Sequence, residues 1–167
     1  MYRKIEDFTK AWETESGLTQ KLLDALTDES LRQPVANDHR TLARIAWHIV
    51  TTIPEMMANT GLTITAVKPD APVPGTAAAI RQAYATVAAE LLKQVKAAWT
   101  DQTLLVEDEM YGEKWARGQS ARILLDHQTH HRGQMTVLMR QAGLKVPGVY
   151  GPSLEEWSGY GAPPPEV

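Results

Sequence analysis

His127 and His131 stand four residues apart in the stretch Ser120–Gly143, SARILLDHQTHHRGQMTVLMRQAG. Read as a helix capped at Ser120 and stopped at Gly143, this stretch sends both imidazoles out one above the other. At about 100° per residue, Ile123, Leu124, Met135, Leu138 and Ala142 share their face, and the two histidines fall near its centre. Arg122, Thr129, Arg132, Thr136 and Arg140 fall on the opposite side. A polar ring in an apolar stripe is costly unless it finds a partner. Two kinds of partner fit: hydrogen bonds inside a core, or a metal ion shared by neutral imidazoles at i, i+4. A third histidine, His48, projects roughly 120° from the centre of the apolar stripe in the stretch 41–59. Thr52 and Glu55 lie on the same flank, which points to a polar pocket beside the core. The metal reading therefore takes His48, His127 and His131 as ligands, with a position open for water or substrate.

Other residues are weighed against this set. His130, about 60° from His127, is read as a surface histidine or a residue at the mouth of the site, and His39 is given no role. Glu55 and Asp126 are the carboxylates nearest the histidines in sequence; Glu55 is the better general-base candidate because it shares the His48 flank, and a solvated helix residue is its plainer reading. No histidine follows a Glu by three residues, so the Glu-x-x-His pairs of di-iron bundles are absent. His127 is followed by Gln128, which excludes the zincin His-Glu-x-x-His. Neither a phosphate-binding loop nor a dinucleotide-binding glycine pattern occurs, and the methionines read as packing residues.

The elements that must position these residues are helical. Ile5, Phe8, Trp12, Leu18, Leu22 and Leu26 recur at helical spacing over residues 2–26, with Glu15 the one charge on that stripe. A second helix is expected over 41–59, with Pro54 inside it and Gly61 stopping it, and an alanine-rich third over 76–99. Residues 62–75, with Pro69, Pro72, Pro74 and Gly75, read as a long connection. A short hairpin over Thr103–Val106 and Lys114–Ala116 is expected between the third and fourth helices. Ser153 with Glu156 reads as a capping box opening a short helical turn through Trp157, and 159–167 as a trailing, flexible tail. The expected fold is all-α: a four-helix bundle in one domain spanning 1–167, with long crossover connections and a short C-terminal helical turn.

Composition narrows the function. A chain of 167 residues with 43% hydrophobic and 22% charged residues is an ordinary globular protein. A net charge of −3 argues against nucleic acid as a partner. The absence of cysteine removes disulfides, thiolate metal sites and any cysteine nucleophile. No apolar run approaches membrane-spanning length and the N-terminus lacks a signal-peptide core, so a cytoplasmic protein without membrane partners is expected.

In three places the residues resemble the DinB-like (DinB/YfiT) family. The stretch LLDHQTHHRGQMTVLMRQAG is similar to that family's His, three residues, His-Arg-Gly-Gln pattern with its Arg-Gln-x-Gly end. TLARIAWHIVTTIPEM carries a lone histidine after an apolar-aromatic pair, and VPGVYGPSLEEW resembles the segment after the last helix in one branch. The resemblance implies a four-helix bundle holding a divalent metal by a histidine triad, here His48, His127 and His131. Zinc or nickel is expected for such ligands, with manganese or iron also open. It further implies a homodimer, which Gly133 on the outer face would suit. Characterised relatives include S-transferases using low-molecular-weight thiols and a mycothiol-dependent isomerase. The expected function is thus a metal-dependent transferase presenting a small thiol to an electrophile. The alternatives are a metal-hydroxide hydrolase, or a non-catalytic stress-related protein whose metal fastens two helices. A fourth ligand position closed by His130 or Glu55 would favour the structural metal; an open one would favour an enzyme.

Overall fold

The structure, a computed structural model, describes residues 1–166; Val167, the end of the expected tail, lies outside the described residues. It is mainly helical, with four long helices and one short two-stranded sheet: α1 (Ile5–Asp24), α2 (Leu42–Ala58), α3 (Ala77–Ala98), β1 (Glu107–Met110), β2 (Glu113–Ala116) and α4 (Arg117–Gln141). The boundaries follow local chemistry. Thr41 and Thr76 cap α2 and α3, their hydroxyls accepting from the Arg44 and Ala79 amides. Gly143 at φ 78° follows the last turn of α4.

Helix α1 packs on α3 and α4, and α2 packs on the same two. Helices α1 and α2 therefore face each other across the core, as do α3 and α4. Connection 99–116 joins two helices that are not neighbours, whereas 59–76 joins two that are. Phe8, Trp12, Ile49, Ile53, Tyr84, Leu91, Leu124 and Met135 are among the side chains filling the space between them. Pro54 stays inside a continuous α2 and is buried.

Four expectations need correction. Helix α4 begins at Arg117, not after Ser120: the hairpin runs straight into it, the Arg117 amide donates to the Val106 carbonyl, and the Arg117 guanidinium grips Asp108 at 2.7 and 3.0 Å. Ser120, the expected cap, is a buried residue of its first turns. The hairpin pairs Glu107–Met110 with Glu113–Ala116, while Thr103–Leu105 is a 3-10 turn. The C-terminal helical turn is a 3-10 segment at Trp157–Tyr160, so the expected tail starts inside it. In the expected capping box, Glu156 does reach back to the Ser153 amide at 3.2 Å.

The fourth correction concerns the rotation of α4. Its buried side includes Ala121, Leu124, Leu125, Gln128, Arg132, Met135 and Met139, a stripe turned toward Arg132, which the pattern assigns to the opposite face. Arg132 is 2% exposed. Gln128 is buried because it has partners on every other helix: its Oε1 accepts from Tyr84 Oη at 3.0 Å and lies 3.3 Å from Thr19 Oγ1, and its Nε2 donates to the Ile49 carbonyl at 3.2 Å. Arg132 pairs with Glu15, bonds Thr19 and Thr129, and is covered by Tyr150. Gly118 lets the N-terminal segment lie against α4: the Tyr2 amide donates to its carbonyl at 2.8 Å, and a Cβ there would collide with the Tyr2 backbone.

Replacing Gln128 by Leu strands the buried Tyr84 hydroxyl, and the expected cost is about 1–3 kcal/mol. Adding Tyr84→Phe should return part of it. Urea midpoints of the two single variants and the double variant check this; strictly additive losses would contradict the coupling.

Candidate metal centre

Helix α2 carries His48 and α4 carries His127 and His131 where the two helices pack together. The Nε2 atom of His127 lies 3.1 Å from Nε2 of His48 and 3.1 Å from Nε2 of His131. The three form a group whose ligand atoms all lie within 4.8 Å of one another and which could hold a metal ion. His131 is buried; His48 and His127 are half-buried and line a cleft of about 510 Å³. His127 thus stands at the edge of the core, one step from the centre expected for it, because Gln128 takes the inward position.

The outer nitrogens orient two of the rings. His131 Nδ1 donates to Gln134 Oε1 at 2.7 Å, and Gln134 Nε2 reaches His130 Nε2 at 3.1 Å. His48 Nδ1 lies 3.4 Å from the Thr52 hydroxyl, which donates to the His48 carbonyl at 2.7 Å and so presents a lone pair to the ring. With Nδ1–H on both outer rings, the Nε2 atoms of His48 and His131 turn bare lone pairs toward His127. His127 can donate one Nε2–H to one of them only, and its own Nδ1 is buried without a protein partner. The three rings lack the protons to satisfy each other, and a cation is what their donor set fits. Nitrogens each 2.0–2.1 Å from a tetrahedral zinc stand about 3.3 Å apart, close to the two 3.1 Å spacings around His127.

The rings are held neutral. Burial, then the charges of His131, Arg40 and Arg44, brings His48 down to about 4. Burial, then the neighbouring histidines and Arg40, brings His127 to about 4. Burial also lowers His131, although the Gln134 hydrogen bond opposes it.

The cleft beside the histidines is walled by Thr51, Thr52, Glu55, Met56, Pro69, Tyr111 and Ile123. Tyr111 is the residue that sequence reasoning missed. It occupies the first central position of the β1–β2 turn at φ 54°, followed by Gly112 at φ 84°, the left-handed pair of a type I′ hairpin. An aromatic residue is strained there, and the strain coincides with a contact: Tyr111 Oη lies 3.0 and 2.9 Å from the two Glu55 oxygens. The Tyr-Gly pair was the one signal for it. Burial and the Glu55 contact raise the phenol's pKa, so it stays a donor. His130 is exposed and lies outside the group, Asp126 pairs with Arg122, and His39 bonds its own connection at the Asn37 carbonyl.

A mainly helical chain with a convergent three-histidine group is the class that fold and site define. The chain belongs to the DinB family, whose family model matches residues 1–166. It is 46% identical to the Bacillus subtilis (strain 168) protein YrdA over 167 residues, all of both chains. A DinB-like protein from Bacillus cereus ATCC 10987 has a solved structure with 47% identity and a TM-score of 0.87, covering 90% of this chain and 100% of that one. The DinB-like protein YjoA of Bacillus subtilis, 13% identical, shares the fold with a TM-score of 0.67 over 86% of this chain and 97% of its own. No helix among the described residues is long and apolar enough to cross a membrane.

The depressed histidines make stability pH-dependent in the metal-free chain. Unfolded histidines titrate near 6.5, so between that value and about 4 the unfolded state binds more protons than the folded one. Stability is complete above this window and falls as pH drops through it. Urea midpoints between pH 7.5 and 4.5 should show the decline, and His127→Leu should make it shallower; an unchanged slope in that variant would refute the assignment.

Proposed function

We propose that the chain is a divalent-metal-dependent enzyme, a transferase that presents a small thiol to an electrophile, with His48, His127 and His131 as the ligands. The observation that carries this reading is the open side of the triad. His130 and Glu55, the two residues that could close it, both lie outside the metal-binding group, and the cleft borders His48 and His127 directly. A three-imidazole site with an open position suits catalysis better than a fastening role. Zinc or nickel fits the all-nitrogen donor set; manganese or iron would be less well matched. When bound, the ion would acidify a thiol or a water and so supply an anionic nucleophile at neutral pH.

The chain's own residues do the rest. Thr52 and Gln134 hold the outer rings in the Nδ1–H tautomer that leaves Nε2 free. Glu55, in the same cleft, would take the proton a nucleophile loses, and Tyr111 fixes its orientation by donating to the carboxylate. The Glu55–Tyr111 pair equally serves hydrolysis, which makes a metal-dependent hydrolase the second reading. A homodimer belongs to the proposal too: Gly133 is exposed on α4, with open space where a Cβ would stand, and a second helix could approach closely there. With a net charge of −3, and no helix among the described residues long and apolar enough to cross a membrane, the partner proposed is a small molecule of the cytoplasm.

Metal content of the untagged chain tests the ligands. About one equivalent per chain is expected, with loss in His127→Ala and a 10–100-fold weaker zinc affinity in Gln134→Leu. Absence of metal after zinc or nickel is added would reject the site. Small thiols with an aromatic halide, and activated esters, then test the chemistry. Glu55→Gln should keep its metal and lose about 10²-fold in turnover. A loaded chain inert toward both substrate classes would return the metal to a structural role.

A further inference from the structure

The three-histidine group contains no carboxylate, so an ion held there would keep its full positive charge. Two arginines add to that charge. Arg44 stands four residues before His48, one turn of α2, which places the two Cβ atoms about 6 Å apart. Arg40, just before the helix, lines a second cleft of about 500 Å³ together with Gln134, the side chain that orients His131. This second cleft therefore reaches the outer edge of the same site. All three rings feel the Arg40 charge and His48 feels Arg44 as well.

Neither arginine is matched. Arg117, Arg122, Arg132 and Arg140 each hold a carboxylate; Arg40 and Arg44 are exposed and, like Arg3, Arg32 and Arg81, form no ion pair among the described residues, but only Arg40 and Arg44 stand beside the histidines. Along α2 the polar edge reads Arg44, His48, Thr52, Glu55, positive at one end and negative at the other. A chain with a net charge of −3 has concentrated unpaired positive charge at one end of its candidate site.

We propose that Arg40 and Arg44 are the oxyanion-recognition end of this site, holding a carboxylate or phosphate of the small molecule whose other end reaches the histidines. The planar guanidinium matches such groups through paired hydrogen bonds. The spacing sets the ligand class: a small acid whose anionic and reacting groups lie roughly one helical turn apart. Only the reacting end of this assignment rests on the metal-and-thiol reading; the anionic end rests on the arginines.

The test is a chemical-shift titration of the full ¹⁵N-labelled chain, with and without zinc, following the arginine Nε–H signals. The probes are glycolate, mercaptoacetate, inorganic phosphate and uncharged 2-mercaptoethanol. Glycolate and mercaptoacetate should move the Arg40 and Arg44 signals while 2-mercaptoethanol leaves them in place. The double variant Arg40→Gln, Arg44→Gln should bind glycolate about ten-fold more weakly, with backbone signals elsewhere unchanged. With zinc, mercaptoacetate should bind about ten-fold more tightly than 2-mercaptoethanol, and the double variant should lose that advantage. A stronger response to phosphate supports the arginine assignment and makes the group a phosphate. If carboxylates move the arginine signals but zinc and sulfur add nothing, the arginine assignment stands and the thiol reading fails. Arginine signals unmoved by every anion, or a double variant that binds glycolate like the native chain, would overturn the proposal.

Discussion

One amide ties the four helices to a single rotation. Gln128 on α4 meets Thr19 of α1, the Ile49 carbonyl of α2 and the Tyr84 hydroxyl of α3, all in a region closed to water. Apolar packing tolerates small rotations of a helix about its axis, because one methyl group replaces another at little cost. A buried amide does not, since each lost hydrogen bond leaves a stranded polar atom. Thr19 extends the constraint to Arg132, which reaches Glu15 and Tyr150. Helix α4 can turn only as these partners allow, and that turn places His127, the next residue along, at the edge of the core. The Ile49 carbonyl does the same for α2, where His48 precedes it. Convergence of the histidines is thus a consequence of polar contacts behind them.

This arrangement separates rigidity from access. The three histidines stand on the two long helices whose register the core amide holds, and groups that bind a metal gain most from such support. The walls of the cleft come from the connections. Residues 59–76 contribute Pro69, and they are held by α3 and α2: Glu90 accepts from the Thr65 and Ala66 amides, Gln94 bonds both the amide and the carbonyl of Thr63, and Trp47 Nε1 donates to the Ala71 carbonyl at 2.7 Å. The hairpin contributes Tyr111, anchored through the Asp108–Arg117 pair to the start of α4. Both long connections have a physical use, because a helix-only surface would leave the histidines on a shallow groove.

Much of this was readable in the sequence and some was not, for definite reasons. Apolar period gave all four helices to within a few residues, because their stripes are long and their ends carry Thr, Gly or Pro. His48 was placed correctly on a polar flank of α2, since Thr52 and Glu55 share it. Glu15 stood out as the one charge on the α1 stripe, and the structure gives its reason in Arg132. The rotation of α4 was misread because the pattern puts Arg132 opposite the apolar stripe and gives Gln128 no place on it, and only their distant partners show that both are buried. Ser120 passed for a cap because the true start of α4 depends on the Arg117–Asp108 pair and the Val106 carbonyl, contacts made in the folded hairpin. Tyr111 was invisible as a site residue because its contact with Glu55 spans 56 positions.

The same logic explains why the site can carry so much positive charge in an acidic protein. Several carboxylates elsewhere are committed: Glu15 to Arg132, Asp108 to Arg117, Glu155 to Arg140, and Glu90 to backbone amides. Glu55, the acid nearest the histidines along α2, is turned to the Tyr111 hydroxyl and accepts from it with both oxygens. A free carboxylate beside three imidazoles would become a fourth ligand and close the site. In the proposed reading, the contact with Tyr111 would hold Glu55 within the cleft as a base while keeping it off the donor set. On that proposal, the left-handed tyrosine would make the difference between a metal that fastens helices and one that stays open to a substrate.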